Sequence, residues 1–554
     1  VLVRNPSWAS VKRFLTEVFE PSTVEGYYQP LPMISLMVDY ALGGRPDNLM
    51  PFHHTSLCLH AFNTVLIIIL LYLLFGRPAP AVLVGLLFGI HPMTVEVVAW
   101  LGERKTLLAT FFSLWCLISY LGYIRTAAWK YYALCLIMYL LALMSKPTST
   151  PLPVLLILLD YWPFRKLDVR RLLEKVPFFV VGGVFALVTA VSQGRSEYAL
   201  TRIFIIVGHN ITFYLCKMFA PIKQALVYPF PEPLAVSNPT ILAYVIGTAL
   251  LVIALLISLR WTRALLTGWL FYLLAIFPTF MVVGYSLGIA EDKYAYFPAL
   301  GVLMILAWLL NRFWNQIPPL RHPGPVKAIV VTVVLVLAVS EAIATRRYLP
   351  YWQNTEKLYR HMITLAPDVP ELHISLGVCL SAKGNIDESI QCYHRAIEIN
   401  PNCYKAYNNL GRLLVERGEY KNGMQLLSTA VRLKPDLDKA YLNLGLAHAY
   451  QGQYDRAVPL FRQTLELNSE DFKAHYNLGA ALIRLDRWNK ARRHFDEAIR
   501  LNREHADSYF GIGLVMAHQG RFDKATQAYK QALRIDPNHQ GASKNLNTLS
   551  TMPR

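Results

Sequence analysis

Ionisable residues crowd one short stretch of this chain between two apolar runs. HPMTVEVVAWLGERK (91–105) follows AVLVGLLFGI and leads into LLATFFSLWCLISYL. Charge is costly at a membrane boundary, so His91, Glu96, Glu103, Arg104 and Lys105 are candidates for chemistry. A carboxylate such as Glu96 or Glu103 can take the proton of a hydroxyl or orient an acceptor. Lys146 in MSKPT and Lys293 in EDKYAYFP close other apolar runs. Brought together with Arg104 and Lys105, they would suit a mono- or pyrophosphate anion. Each has a plainer reading. Lysines at helix ends reach for headgroups, the glutamates can pair locally with Arg104 and Lys105, Asp292 can partner Lys293, and His91-Pro92 can kink a helix. His54, with Tyr27, Tyr28, Pro30, Asp39, His60 and Tyr228, is a weaker candidate, because such residues also serve as interface anchors and packed core.

Those groups must be held by helices. Of 554 residues 54% are hydrophobic and 16% charged, with mean hydropathy +0.32, a composition that calls for membrane spans. Ten or eleven apolar stretches qualify, near 53–75, 80–100, 106–124, 131–145, 148–163, 176–193, 203–219, 240–259, 264–284, 294–311 and 326–344. An open strand in lipid would leave its amides unpaired, so these are helices. Residues 1–350 carry 27 Lys/Arg against 15 Asp/Glu, and 351–554 carry 27 against 21. The larger excess lies in the apolar part, where it reads as positive loops or anionic-lipid sites, not as nucleic-acid binding. FRKLDVRRLLEK (164–175), RWTR (260–263) and 311–327 are the basic loops and are placed inside. Counting spans from them puts 1–52, Glu103, Lys146, Lys293 and everything after 344 outside, provided 203–219 is re-entrant or interfacial. The seven cysteines form no C-x-x-C pair, so no zinc site or disulfide framework is read. Dependence on a divalent metal stays open.

The second half repeats. Ser375–Gly377 recurs as an NLG at 409–411, 443–445 and 477–479 and as GIG at 511–513, each step 34 residues. This is the tetratricopeptide period, two antiparallel helices per unit stacked into a solenoid that binds. Five to six units fill a domain at 351–554, after a transmembrane domain at 1–350 whose first outside loop is 1–52. Asn409, Asn443 and Asn477 repeat at equivalent sites. An amide offers the donor and the acceptor that a peptide group needs, and the series resembles the asparagine ladder of O-GlcNAc transferase. Asn is also a common consensus choice at that position.

The stretches YYQPLPMISLMVDYALGG, HHTSLCLHAFNTVL, HPMTVEVVAWLGERK, MSKPT, LLDYWPF, VYPFPEP and DKYAYFPALG occur in this order. They resemble bacterial relatives of the transmembrane-and-tetratricopeptide-repeat O-mannosyltransferases, which are similar to the protein O-mannosyltransferases. The resemblance implies an all-α fold: a polytopic GT-C helix bundle followed by the repeat solenoid. It implies transfer of a sugar, mannose in the family, from a polyprenyl phosphate to Ser or Thr of a protein on the outer face, with cations holding the lipid phosphate. The donor would be the lipid-linked sugar, the acceptor a protein held by the repeats, and the location a bacterial inner membrane, or the ER membrane in a eukaryote. Relatives carry an acidic pair ahead of the segment matching VLVRNPSW. The principal base is therefore expected upstream of Val1, as is a preceding span. Without that pair, a non-catalytic membrane scaffold whose repeats assemble envelope proteins is the rival reading. An oligosaccharide ligase is a third.

Overall fold

A computed structural model describes all of the chain except residues 1, 5, 18–27, 166, 193–199, 227, 230, 232, 281–288, 317–323 and 552–554. Tyr27 and parts of 194–239 and of the loops at 285–293 and 311–327 lie outside the described residues. Regular structure among the described residues is helical, apart from two isolated β-bridges. Two compact units divide at residue 366: Val1–Ala366 and Pro367–Arg554. Helix Thr355–Leu365 groups with the first of them.

Turn chemistry sets the first unit's helices. Met50–Phe75 ends at Gly76, whose φ of +73° suits a left-handed cap, and Pro78 opens the next helix. That helix, Pro78–Ile90, stops at His91, because the residue before a proline is driven out of helical geometry. The chain resumes at Pro92 bent by 55°, so the span expected at 80–100 is broken at the histidine. Among the described residues five helices are long and apolar enough to cross a membrane, or six with the broken pair. This differs from the ten or eleven spans expected. Trp129–Ser145, Ala264–Phe280 and Ala299–Gln316, of 17, 17 and 18 residues, are shorter apolar helices, and Leu152–Tyr161 has only 10 residues. Each falls short of the ~20 residues of a perpendicular crossing. Pro239–Ser258 and Lys327–Gln353 leave most of their surfaces uncovered, with Leu250, Ile253, Val333 and Val336 exposed. Such apolar faces suit lipid better than water.

Two apolar cores fill this unit. One gathers Leu70, Val84, Leu117, Tyr139 and Leu156; the other gathers Met93, Tyr214, Trp269, Tyr272 and Ile289. The basic loop at 164–175 does not end as a simple charged loop. Lys175 turns inward, buried, with its Nζ 2.5 Å from Asp160 Oδ2 and against the Tyr120 hydroxyl.

The second unit holds five helix pairs, from Pro370–Ala382 with Ile386–Ile399 to Ala506–His518 with Phe522–Ile535, and a last helix Gln540–Thr551. Within each pair a glycine permits close crossing. A Cβ at Gly445 would stand 2.6 Å from the Phe461 ring, and Ala457 and Phe461 are fully buried beneath it.

Candidate functional site

Three segments of the first unit carry the polar groups to one place. The first is the break after His91, where Val95–Ala99 and the 3-10 turn Leu101–Glu103 lead into helix Arg104–Thr126. Gly102 keeps the turn close to the indole: a Cβ there would stand 3.0 Å from Trp100 Nε1. The second is Lys146, extended at the end of Trp129–Ser145, where Pro147 prevents the helix from continuing. The third is the turn Asp292–Ala295. It is held by Asn210, whose Nδ2 donates to the Ile289 carbonyl at 2.7 Å. Tyr214 assists, donating its hydroxyl to the Glu291 carbonyl and accepting from the Glu291 amide, both at 3.0 Å. The polar residues of an otherwise apolar helix thus clamp the segment that bears Lys293.

Lys293 sits among carboxylates. Its Nζ lies 3.7 Å from Glu96 Oε1 and 3.8 Å from Glu103 Oε1, pairs closely with Glu291, and stands 4.4 Å over the Trp100 ring. Its backbone amide donates to Glu96 Oε2 at 3.0 Å. Burial works to lower the affinity of this ammonium for its proton, but the three carboxylates outweigh it and hold the group above its ordinary value. Lys146 donates to Thr106 Oγ1 at 2.7 Å, and Thr106 in turn donates to Glu103 Oε2, with Lys146 Nζ 3.5 Å from that same oxygen. Burial brings Lys146 down to about 8, against the opposing pull of Glu103. Lys105 Nζ lies 3.6 Å from Glu103 Oε1 and is more open to solvent.

Glu103, Lys105, Lys146, Lys293 and Tyr294 line one cavity of about 440 Å³, within the size range of small-molecule sites. Glu96 is fully buried and absent from that lining, so it holds Lys293 in place without reaching the cavity. The structure therefore brings Glu96, Glu103, Lys105, Lys146 and Lys293 together. Trp100, Thr106 and Glu291 complete the cluster. Sequence reasoning missed them: a hydroxyl or an aromatic beside an apolar run carries no periodic signal, and Glu291 stands beside Asp292, which drew the attention instead.

Other candidates point elsewhere. The expectation that Arg104 binds phosphate is corrected. It is fully buried and donates to Ser35 Oγ at 2.7 Å, Phe52 O at 2.6 Å and Ser56 Oγ at 3.2 Å, with Nη1 2.8 Å from Asp39 Oδ2. A guanidinium so engaged, and shut away from solvent, is committed to holding these segments together. Asp292 does not partner Lys293. It accepts from the Tyr228 hydroxyl at 3.0 Å, and burial lifts its carboxyl to about 7. His54 is exposed. His91 accepts the Met93 amide on Nδ1 at 3.2 Å and donates from Nε2 to Met218 O at 2.9 Å, with Glu341 3.9 Å away. His91 and Glu341 line a separate apolar cavity of about 350 Å³, walled by Val84, Phe88, Leu303, Leu306 and Val334. Among the described residues no group of three or more His, Cys, Asp or Glu side chains could hold a metal ion.

In the second unit Asn409, Asn443 and Asn477 are all half-buried but differ in their bonds. Asn443 Nδ2 donates to Asn408 Oδ1 at 2.9 Å, linking neighbouring units, and Asn408 Nδ2 donates to Asn409 Oδ1 at 3.3 Å. Asn477 Nδ2 donates to Lys473 O of its own helix at 2.8 Å.

Comparison with known proteins bears mainly on this unit. The tetratricopeptide repeat profile matches residues 370–403 and a TPR repeat profile matches 411–452. That of the cilia and flagella-associated protein 70 middle TPR-like domain matches 441–552. The chain is 31% identical over 111 residues to the protein O-mannosyl-transferase TMTC4 of Homo sapiens, a match spanning 18% of this chain and 14% of the human protein. Among solved structures it is similar to YrrB, a TPR protein with an unusual peptide-binding site (21% identity, TM-score 0.30, 35% of this chain and 99% of that one). It is also similar to pilF of Pseudomonas aeruginosa (21% identity, TM-score 0.33, 36% and 93%). The findings support a tetratricopeptide-repeat chain with apolar helices and a relationship to the TMTC proteins.

Proposed function

We propose that this chain is a membrane glycosyltransferase of GT-C type that moves a sugar, mannose by its resemblance, from a polyprenyl phosphate to Ser or Thr hydroxyls of proteins outside the cytoplasm. The observation that carries the reading is the cavity in which Glu103 faces Lys105, Lys146 and Lys293. The lysines offer ammonium donors to a phosphate in a water-poor setting, where such contacts are strongest. Glu103 offers the carboxylate to an acceptor hydroxyl. Burial works to raise the pKa of this carboxyl, but the lysines hold it at about 2 until the phosphate draws them away. As the acceptor oxygen bonds to the sugar's anomeric carbon, its proton passes to Glu103, the carboxylate that faces the cavity among the described residues, and the bond from that carbon to the phosphate oxygen breaks. The lipid phosphate leaves with the electron pair and stays held by the lysines. The repeats deliver the acceptor protein.

The test is transfer from a radiolabelled polyprenyl-phosphate hexose to a Ser/Thr peptide by the purified chain in nanodiscs. Glu103→Gln should lower kcat/KM by roughly 10²- to 10⁴-fold, the range of general-base contributions. Absence of transfer from every such donor, with lipid retention equal in wild type and Lys146→Ala, would defeat the reading. A second reading, a non-catalytic scaffold, rests on the profile matches to the repeats at 370–403, 411–452 and 441–552. That outcome would favour it.

A pH dependence follows from Lys146. Its ammonium is charged below about 8 and neutral above it. Donor capture, read as kcat/KM, should therefore fall as pH rises through about 8. Arginine keeps its charge throughout this range, so Lys146→Arg should remove that limb. An unchanged limb in this variant would place the titrating group elsewhere.

A further inference from the structure

We infer that the repeat unit holds an extended acidic segment of its protein partner, gripped by a ladder of three lysines and three asparagines. This rests on the reading that the repeats deliver the acceptor, and it adds the acceptor's chemistry. Lys405, Lys439 and Lys473 recur at 34-residue steps, each four residues ahead of Asn409, Asn443 or Asn477. On a helix that spacing puts lysine and asparagine on one face. All three lysines are exposed, and among the described residues none forms a side-chain ion pair. Each lies in the first turn of its helix, Tyr404–Glu416, Asp438–Tyr450 or Phe472–Arg484, where the positive end of the helix dipole adds to the lysine. The first helices of successive units pack against one another, so the three rungs are neighbours.

The ladder has ends. The same 34-residue step places Glu371 before Lys405 and Asp507 after Lys473, so the basic stretch covers three units between carboxylates. Helices about 10 Å apart make it roughly 20 Å long, which an extended segment of about six residues covers. The fitting occupant carries Asp or Glu about three residues apart, its carboxylates on the lysines and its backbone on the amides. Asn409 Nδ2 and Asn443 Oδ1 have no intramolecular partner among the described residues, which leaves one donor and one acceptor for that backbone.

The experiment uses the full chain in nanodiscs of zwitterionic lipid and fluorescence anisotropy with three ten-residue peptides. One bears Asp at every third position, one has Asn there, and one has Lys. The acid peptide should bind about tenfold more tightly than its amide twin, the sum of three modest solvent-exposed pairs, and the preference should shrink with salt. The triple variant Lys405→Glu, Lys439→Glu, Lys473→Glu should reverse it toward the Lys peptide. The triple glutamine variant, which leaves less repulsion to disturb folding, should abolish it. Equal binding of acid and amide peptides, or an unchanged preference in both variants, overturns the inference. So does lysine-dependent capture of phosphatidylglycerol vesicles without any peptide preference, which would make the surface a membrane contact. Transfer to a short hydroxyl peptide is followed in parallel. Intact transfer without acid preference defeats only this inference. Acid-selective binding with no transfer from any donor defeats only the enzyme reading.

Discussion

Replacing Lys293 with Met should cause a large loss of both stability and donor binding. The ammonium is the common counter-charge of Glu96, Glu103 and Glu291, and its side chain is only 10% exposed. Its removal leaves three carboxylates facing one another with little water to screen them. Breaking a buried ion pair from one side typically costs about 3–5 kcal/mol, enough to lower the melting temperature in detergent by many degrees. A melting curve alone cannot separate this from a loss of function, so a second variant is required. Lys293→Met combined with Glu96→Gln replaces a fully buried carboxyl, which burial already holds well above its ordinary value, with a neutral amide outside the cavity lining, and part of the stability should return. Donor binding should not, because the ammonium that faces the cavity is still missing. Isothermal titration with a polyprenyl phosphate reads that difference. Recovery of both properties together would make Lys293 a purely structural residue and leave the phosphate to Lys105 and Lys146.

The sequence displays the repeat unit openly because each turn, crossing glycine and apolar face must recur at every 34 residues for the units to stack. The site is only partly legible. Its residue types are visible, since ionisable groups among apolar runs stand out, and Pro92 marks the break that delivers them. Direction is not visible. Glu103, Arg104 and Lys105 are consecutive, and successive residues at a helix start project about 100° apart, so one tripeptide serves two networks. Glu103 and Lys105 face the cavity while Arg104 faces Asp39. Glu291 and Asp292 divide in the same way, one toward Lys293 and the other toward Tyr228. The count of spans misled for a related reason. Composition reports that a segment is apolar but not where a proline or a packed neighbour ends its helix, and several apolar stretches form helices too short for a perpendicular crossing.

Arg104→Ala should be at least as damaging, by a route that never touches a phosphate. Arg104 joins three helices: Ser35 and Asp39 belong to Pro30–Ala41, Phe52 and Ser56 to Met50–Phe75, and Arg104 itself opens Arg104–Thr126. Thr55 Oγ1 donates to Asp39 Oδ1 at 2.7 Å, but Asp39 Oδ2 depends on the guanidinium. Truncation therefore strands a carboxylate that is 2% exposed, together with two hydroxyls and a carbonyl that lose their donor. The expected cost is again about 3–5 kcal/mol, seen as low yield and early unfolding. The informative variant replaces both partners, Arg104→Met with Asp39→Leu. Apolar side chains in place of a buried pair are often neutral for stability, so this protein should fold, with the remaining loss set by Ser35, Ser56 and Phe52. If Arg104 only positions the turn that carries Glu103, the folded double variant should bind a polyprenyl phosphate within a few-fold of wild type. Loss of binding from a protein that still melts near the wild-type temperature would return Arg104 to the phosphate site and require its guanidinium to swing away from Asp39 when the donor arrives.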